Sequence, residues 1–441
     1  MNKKRVKIIS AVSALIIMLI IIFCLIKQSN EIIELEFGMF TGSNWQVASA
    51  NSFEIIDRAI EKFEKRYKNV KVTYKSGISK EDYSQWLAAR LIDDNLPDVF
   101  MIKDSDFNKF SSLNAIKNLD GIIAKDKGFD KNKFFQTSYN VGNYQERQYA
   151  LPYETVPVLL FVNKTLLERE GIDIPKIDWV WNDIYEICKK VTKDTNDDGI
   201  IDQFGTYNYK WMNAVRSNGY DLVNYENDKI DFTQESVLES LFFIKKLYDL
   251  NQGQKATQED FNTGHVAFMP LTFAEYRTYK AYPYKIKKYS EFKWDFITFP
   301  AGPEGDNVSE VDSLLIGISS KTKQEELAWE FLKTLTYDEE IQMDIFRHSQ
   351  GVSVLKNVTQ SLEAENIIKE NMDEEEQVIH TRMLSQIIEN GTIMPKIKQY
   401  NQIIDLADTE INKILEQNKD IDSTIKIFQR RLDAEHINNN E

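Results

Sequence analysis

One segment, residues 149–164, limits most strongly how this chain folds. Its second half is a continuous apolar run, which is typical of a strand buried on both faces. Pro152 and Pro157 precede this run. Because proline fixes φ and removes a backbone donor, we expect the regular central strand to begin only near Pro157. The segment is predicted to cross from one lobe to another, with the polar pair Tyr153 and Glu154 lining the cleft between them.

The length and charge of the chain set its broad class. A chain of 441 residues is too long for one ordinary core, so two domains are expected. Hydrophobic residues make up 42% of the chain, which is typical of a well-packed globular protein. The formal net charge of −15 argues against a nucleic-acid partner, because such binding relies on neutralising phosphates with Lys and Arg.

The cysteines and histidines form no metal or redox motif. Of the two cysteines, Cys24 lies in an N-terminal apolar run and Cys188 lies on a predicted helix stripe, where a buried thiol is expected. The four histidines are scattered, with no pair at metal-binding spacing. We therefore expect neither a zinc site nor an organic cofactor.

The N-terminus carries a membrane-directed signal. Four basic residues within the first seven positions precede an apolar stretch at 8–26. This pattern is typical of an export signal, and the stretch is also long enough to remain as a membrane anchor. Lipidation at Cys24 is a third alternative, although Ile22 and Phe23 stand where small residues are usual. In each case the rest of the chain is predicted to lie outside the cytoplasmic membrane.

The first third of the chain has the pattern of an α/β lobe. Strands are predicted at 32–40, 70–74 and 99–102, with amphipathic helices between them. Ligands bind beyond the carboxyl ends of strands in such sheets, so Trp45 and Asp104, which follow the first and third strands, are candidate ligand residues. The alternative for Trp45 is a loop aromatic packed on its own lobe, and the alternative for Asp104 is a solvated acid.

Residues 194–205 match the calcium loop of an EF-hand. Oxygen-bearing side chains occupy positions 1, 3, 5 and 9, and glycine occupies position 6. Gly205 stands at position 12, where a bidentate Glu is usual, so a further ligand would come from elsewhere or from water. A structural Ca²⁺ is expected here, and a solvated acidic turn is the alternative. The predicted ligands are Asp194, Asn196, Asp198, Ile200 and Asp202.

Residues 206–232 are rich in Tyr, Trp, Asn and Gly. That composition suits a carbohydrate surface, where flat rings stack on the apolar faces of sugars and amides bind hydroxyls. The aromatic residues of this stretch include Tyr207, Tyr209, Trp211 and Tyr220. An ordinary aromatic core is the alternative for part of this set.

Seven motifs, in order, make the sequence similar to extracellular solute-binding proteins of ABC importers, of the sugar-binding, maltose-binding-protein-like type. They span residues 32 to about 400, and each is weak alone. The motifs lie at 96–100, 149–164, 179–205, 261–268, 299–305, 328–336 and 391–395.

The resemblance implies an α/β protein with the two-lobed periplasmic-binding-protein-like fold of the class II type. It also implies mixed sheets flanked by helices and a helical C-terminal region. The chain is expected to cross between the lobes near 150, 298 and 337. The implied divisions are 1–31 as signal or anchor with linker, 32–149 plus 299–337 as lobe 1, 150–298 plus 338–435 as lobe 2, and 436–441 as a frayed tail.

The resemblance also implies a set of ligand-binding residues in the cleft. A Trp is usual in this family near Phe273, so weaker stacking is expected at that position. The implied set is Trp45, Asp104, Tyr153, Glu154, Trp211, Phe273, Glu275 and Asp312.

The implied function is capture of a mono- or oligosaccharide and its delivery to the membrane permease of an ABC transporter. The protein would be a monomer without enzymatic activity at the outer face of the cytoplasmic membrane. A membrane-anchored ligand sensor of the same fold is the alternative. A tethered glycosidase would need a carboxyl pair facing one sugar bond, and Glu154 with Glu275 is the pair that resembles it.

Overall fold

The computed structural model describes residues 32–45, 47, 52–219, 222–224, 229–281, 292–369, 381–397 and 399–434. The predicted signal or anchor at 8–26, with Cys24, and the tail at 436–441 lie outside these residues. In the part that the structure describes, no helix has the length and apolar character needed to cross a membrane.

Short strands alternate with helices through the first three-quarters of the chain. The strands are β1 (Ile33–Gly38), β2 (Val70–Tyr74), β3 (Val99–Ile102), β4 (Asn143–Tyr144), β5 (Arg147–Gln148), β6 (Ala150–Asn163), β7 (Phe204–Thr206), β8 (Val223–Asn224), β9 (Lys229–Ile230), β10 (Val266–Thr272), β11 (Trp294–Ile297), β12 (Val311–Ile318) and β13 (Val352–Ser353).

Helices flank these strands and dominate the C-terminal region, as expected. They are α1 (Ser52–Arg66), α2 (Lys80–Ile92), α3 (Asp104–Ser112), α4 (Asp120–Lys125), α5 (Gln136–Val141), α6 (Lys164–Arg169), α7 (Trp181–Val191), α8 (Trp211–Ser217), α9 (Glu235–Asp249), α10 (Gln258–Asn262), α11 (Phe273–Ala281), α12 (Glu325–Thr336), α13 (Glu339–His348), α14 (Lys356–Thr359), α15 (Leu362–Lys369), α16 (Thr381–Glu389), α17 (Tyr400–Gln417) and α18 (Ile421–Ala434), with a 3₁₀ turn at Lys131–Lys133.

Strand β6 belongs to both parts of the main sheet. In the first part, β1 pairs parallel with β2 and β3, and β12 runs antiparallel between β3 and the first half of β6. In the second part, β10 and β11 run antiparallel to the second half of β6, and β7 pairs parallel with β10. The predicted mixed α/β architecture is confirmed, and 149–164 does pass from one part to the other.

The prolines of β6 do not delay the strand, contrary to the prediction. β6 is continuous from Ala150, and it lies within the sheet. Pro152 pairs with Leu315 at a register shift between Leu314 and Leu315, where a bulge accommodates a residue without a backbone donor. Pro157 pairs with Val311, the first residue of β12, just before β6 changes its partner to β10.

Alternate side chains of the second half of β6 enter two different apolar cores. Leu159 and Phe161 pack in one core, and Leu160 and Val162 pack in the other. This follows from the two-residue period of a strand, and it confirms that the apolar run is buried on both faces.

The connection near residue 337 turns the chain back on the first part of the fold. Asp338 caps α13, which packs against α1 with an Arg58–Asp344 ion pair of 2.5 Å. Helix α16 then packs on α5 and β6, whereas α17 packs on α9 and α18. The third passage between the two parts therefore lies between α16 and α17. Residues 339–369 and 381–389, predicted to belong to lobe 2, pack with the first part.

Candidate functional site

A small pocket lies beyond the carboxyl ends of β1 and β3. Residues 42–44, which follow β1, line it together with Tyr153, Glu154 and the turn 348–350. The carboxyl edge of parallel strands is where open α/β sheets bind ligands, because strands end there and loops diverge. Tyr153 and Glu154, predicted to line the cleft, do line this pocket.

Glu154 is held by the turn that follows α13. Its side chain is buried, and its Oε1 accepts hydrogen bonds from the Ser349 hydroxyl and, at 2.6 Å, from the Gly351 N–H. Burial raises the pKa of the Glu154 carboxyl, and these hydrogen bonds oppose that rise. A Cβ at Gly351 would lie 2.2 Å from Glu154 Oε1, so a larger residue here would displace the Glu154 carboxylate.

Trp45 lies beside Glu154, on the loop after β1. Its ring is partly exposed, but its indole Nε1 is buried beside the Glu154 carboxylate, whose pKa it lowers through a weak hydrogen-bonding contact. In the described part of the chain the indole makes no hydrogen bond of full geometry. A buried donor without an acceptor is costly, so most such groups in folded proteins have a partner. A polar ligand atom in the pocket would supply that acceptor.

A wall of charged groups is formed by Asp104 after β3, Asp312 at the start of β12 and Lys396 between α16 and α17. The Lys396 ammonium lies 2.5 Å from Asp104 Oδ1, and Asp312 Oδ1 accepts a 2.6 Å hydrogen bond from the Ser313 N–H. Burial, together with the carboxylates of Asp104 and Glu310, raises the pKa of Asp312 to about 6. The structure therefore brings the predicted residues Asp104 and Asp312 together.

Two lysines that sequence reasoning missed join the wall to the loop after β1. Lys80 donates to the Asn44 carbonyl, and Lys103 Nζ donates to the Lys80 carbonyl at 3.0 Å. Burial and the neighbouring Lys103 ammonium lower the pKa of Lys80, while the Asp312 carboxylate opposes this. Both lysines follow a strand of the parallel sheet, which is the signal that had identified Asp104.

A larger cleft of about 620 Å³ lies next to this wall. Its volume is within the range of small-molecule sites in proteins. An ion pair of 2.5 Å between Arg216 of α8 and Glu310 connects its lining to the carboxyl group of Asp312. The lining includes Asn140, Met212, Arg216, Glu304, Asp306 and Tyr400.

Trp211 packs in the core, so the prediction that it stacks on a sugar is wrong. Its side chain is 4% exposed, and its indole N–H donates a 2.6 Å hydrogen bond to Asp408 Oδ1 of α17. Its ring lies 5.9 Å from that of Phe232. Helix α17 therefore occupies the polar edge of this indole.

Phe273 and Glu275 also have structural roles, contrary to the prediction. Phe273 is fully buried, with its ring stacked 6.0 Å from Tyr276. Glu275 Oε2 accepts hydrogen bonds of 2.8 Å from both the N–H and the hydroxyl of Thr272, so this carboxylate caps the start of α11. The pattern Thr-x-x-Glu is a helix-start signal that the sequence contained.

The predicted calcium loop has a turned backbone, and its acids bond to that backbone. Asp194 accepts hydrogen bonds from the N–H groups of Asn196 at 3.1 Å and Gly199 at 2.6 Å, and Asp202 accepts from Thr195. No three Asp, Glu, His or Cys side chains of the described residues converge as a metal site. The oxygen donors suit Ca²⁺ chemically, but Asp194, Asp198 and Asp202 do not form a cage as placed.

Comparison with known proteins places the chain within one family. Residues 48–341 match the family model described as bacterial extracellular solute-binding protein. The sugar-binding protein MalE from Xanthomonas citri has a similar structure, with a TM-score of 0.74, 15% sequence identity, and coverage of 91% of this chain and 96% of that chain. The two-lobed fold of such proteins is therefore shared.

Two curated relatives are similar over shorter stretches. Lipoprotein LipO of Bacillus subtilis is 24% identical over 214 residues, which is 44% of this chain and 40% of LipO. An arabinooligosaccharide-binding protein of Halalkalibacterium halodurans is 24% identical over 149 residues, which is 32% of this chain and 33% of that protein. The matches thus span less than half the length of these relatives.

Proposed function

The chain belongs to the bacterial extracellular solute-binding proteins, and we propose that it captures a carbohydrate between two hinged lobes. The ligand is a mono- or oligosaccharide, which the protein delivers to the membrane permease subunits of an ABC transporter. Relatives named for binding sugars, one of them an arabinooligosaccharide, support this class of ligand.

The buried indole N–H of Trp45, which has only a weak contact with the Glu154 carboxylate, is the observation that carries the proposal. It lies beside Glu154, beyond the carboxyl end of β1, where an acceptor from a ligand would satisfy it. A sugar hydroxyl both donates and accepts, so one hydroxyl group can accept from the indole and donate to a carboxylate. The charged wall, with Asp104 and Asp312, and the neighbouring Lys80 offer further groups that bind hydroxyls.

The larger cleft supports an oligosaccharide more than a single sugar. Its volume of about 620 Å³ adds to the pocket beside Glu154. Glu310 interacts with Asp312 and pairs with Arg216, so charged contacts link the wall to the lining of this cleft. On this proposal one sugar unit lies against the wall and further units extend toward α8.

We propose that the protein performs no hydrolysis. Glu154 is buried and bonded to the turn at 349–351, and Glu275 caps α11, so neither carboxyl group is free to act on a sugar bond. Incubation with an oligosaccharide that binds should leave it intact, and the appearance of shorter sugars by chromatography would contradict this part of the proposal.

Membrane attachment and calcium are further parts of the proposal. Residues 8–26 would anchor a monomer to the outer face of the membrane, or Cys24 would carry a lipid. Cell fractionation of the wild-type protein and a Cys24→Ala variant distinguishes the two. The loop 194–205 would bind a structural Ca²⁺ through its oxygen donors.

A thermal-shift screen of the full-length protein in mild detergent tests the ligand class. A ligand that binds only the folded state raises the melting temperature. Mono- and oligosaccharides form the test set, and amino acids and short peptides form the control set. If an amino acid or peptide raises the melting temperature and no sugar does, the carbohydrate proposal is wrong.

A further inference from the structure

The guanidinium of Arg277, on α11, binds three main-chain carbonyls, one at the end of α13 and two in the turn that follows it. Its Nη2 donates to the Phe346 carbonyl at 2.6 Å, and its Nη1 donates to the carbonyls of Ser349 at 2.7 Å and Gly351 at 3.4 Å. The last carbonyls of a helix lack partners within the helix and carry partial negative charge. A planar cation with five donors suits this group of acceptors.

The same turn holds Glu154 from its other side. The Ser349 hydroxyl and the Gly351 N–H donate to Glu154, while the carbonyls of these two residues accept from Arg277. The turn 349–351 therefore lies between a guanidinium and a carboxylate. Arg277 holds its carbonyl groups, and Glu154 holds the Ser349 hydroxyl and the Gly351 N–H. Burial lowers the pKa of Arg277 to about 10, and the Glu154 carboxylate opposes this, so the side chain stays cationic at neutral pH.

This contact joins the two parts of the fold. Helix α11 packs on β6 and β10, whereas α13 packs on α1 and β13. An element of the second part thus holds a turn of the first part, at the edge of the pocket that Tyr153 and Glu154 line.

We propose that Arg277 is a positioning residue for the ligand site. It does not line the pocket, but it fixes the turn 349–351 and, through that turn, the orientation of the Glu154 carboxylate. This inference rests on the proposed function of the pocket as a carbohydrate site. It adds that the affinity for the ligand depends on a contact made from α11, outside the pocket.

Variants of Arg277 in the full-length protein test this role through ligand affinity. Arg277→Met removes the cation and should weaken binding of the sugar found by the thermal-shift screen roughly tenfold or more, because several charge-assisted hydrogen bonds are lost. Arg277→Lys should lose less, since one ammonium reaches fewer carbonyls than the planar fork. Arg347→Met is the matched control, because Arg347 lies on α13 but binds Asp344 and Glu363. It should change the dissociation constant less than about twofold.

Hydrogen exchange in the ligand-free protein provides a readout that does not depend on the proposed function. The Gly351 N–H donated to Glu154 should exchange faster in Arg277→Met than in the wild type, and Arg347→Met should leave its exchange unchanged. An Arg277→Met protein that binds the sugar as tightly as the wild type overturns the positioning role. If no sugar binds the wild type, the proposed function fails, and unchanged exchange at 349–351 then overturns the positioning role separately.

Discussion

The ammonium of Lys396 lies 2.5 Å from Asp104 Oδ1. Lys396 belongs to the connection that leads from α16 to α17, and Asp104 is the first residue of α3. The pair therefore joins the third passage between the two parts of the fold to the carboxyl edge of β3. Both side chains are about four-fifths buried, and Asp312 lies beside them.

A double-mutant cycle on this pair should show a coupling free energy of about 1–2 kcal/mol in urea unfolding. Lys396→Met leaves the Asp104 carboxylate uncompensated near Asp312, so it should destabilise more than the double variant with Asp104→Asn. The exposed pair Lys65–Glu61 is the control, and its coupling should be no more than about 0.5 kcal/mol. Equal coupling for the two pairs would show that the buried position of Lys396 has no effect.

Stability should depend on the titration of Asp312. Its folded-state pKa is about 6, raised from 3.8, so between these values the folded protein holds a proton that the unfolded chain has released. The free energy of unfolding should therefore fall as the pH rises from 4 to 7, by at most about 3 kcal/mol from this group.

Asp312→Asn should remove this loss and make the protein more stable than the wild type at pH 7, with little difference at pH 4. Urea unfolding at several pH values measures the effect. Asp178→Asn, at an exposed position, should leave the wild-type pH profile unchanged. An Asp312→Asn profile parallel to that of the wild type would be inconsistent with the raised pKa.

Gly351→Ala should lower the free energy of unfolding by about 1–3 kcal/mol, because the new Cβ would lie 2.2 Å from Glu154 Oε1. It should also weaken ligand binding, since Glu154 must move to make room. Gly121→Ala in α4 is the control, because no atom lies within 4 Å of its added Cβ. Chemical denaturation and calorimetric titration measure the two effects, and a neutral Gly351→Ala would mean that Glu154 is not held as described.

Trp211→Ala should destabilise the protein by about 3–5 kcal/mol, as expected for truncation of a buried aromatic side chain. Trp211→Phe keeps most of the packing but leaves Asp408 without its indole donor, so it should cost about 1–3 kcal/mol. Any folded Trp211→Phe protein should bind the ligand with unchanged affinity. A variant that is as stable as the wild type but has lost its affinity for the ligand would instead show that Trp211 contacts the ligand.

Calcium should raise the melting temperature of the protein after treatment with EDTA, and Asp194→Ala should abolish the increase. Binding to the folded state alone stabilises by mass action, about 2.7 kcal/mol at a free calcium concentration of 100 times Kd. Mg²⁺ serves as the control ion, because it demands a stricter octahedral arrangement. A melting temperature that changes neither with EDTA nor with added calcium would exclude a calcium site in the loop 194–205.

Part of the candidate site was predictable because it follows from local pattern and one topological rule. Trp45 and Asp104 each follow a strand of the parallel sheet, and the rule that ligands bind at that edge selects them. The same rule applies to Lys80 and Lys103, which were overlooked. Glu275 was predicted to bind the ligand, but Thr272 stands three residues before it, and the pattern Thr-x-x-Glu indicates a helix cap.

Other assignments depended on partners far away along the chain. Trp211 is core because Asp408, 197 residues later, accepts its indole hydrogen, and no pattern near Trp211 reveals which helix covers it. Glu154 likewise depends on Ser349 and Gly351, 195 and 197 residues later. Composition alone does not distinguish an aromatic ring that packs in a core from one that binds a sugar.

The segment 149–164 shows the same division. Its sequence by itself determined a strand buried on both faces, because a continuous apolar run leaves no polar face for water. Only the tertiary structure decided where that strand begins, since a register shift between β6 and β12 accommodates Pro152 and the change of partner follows Pro157. Periodicity records the local preference of the backbone, whereas strand pairing and burial are set by residues distant in sequence.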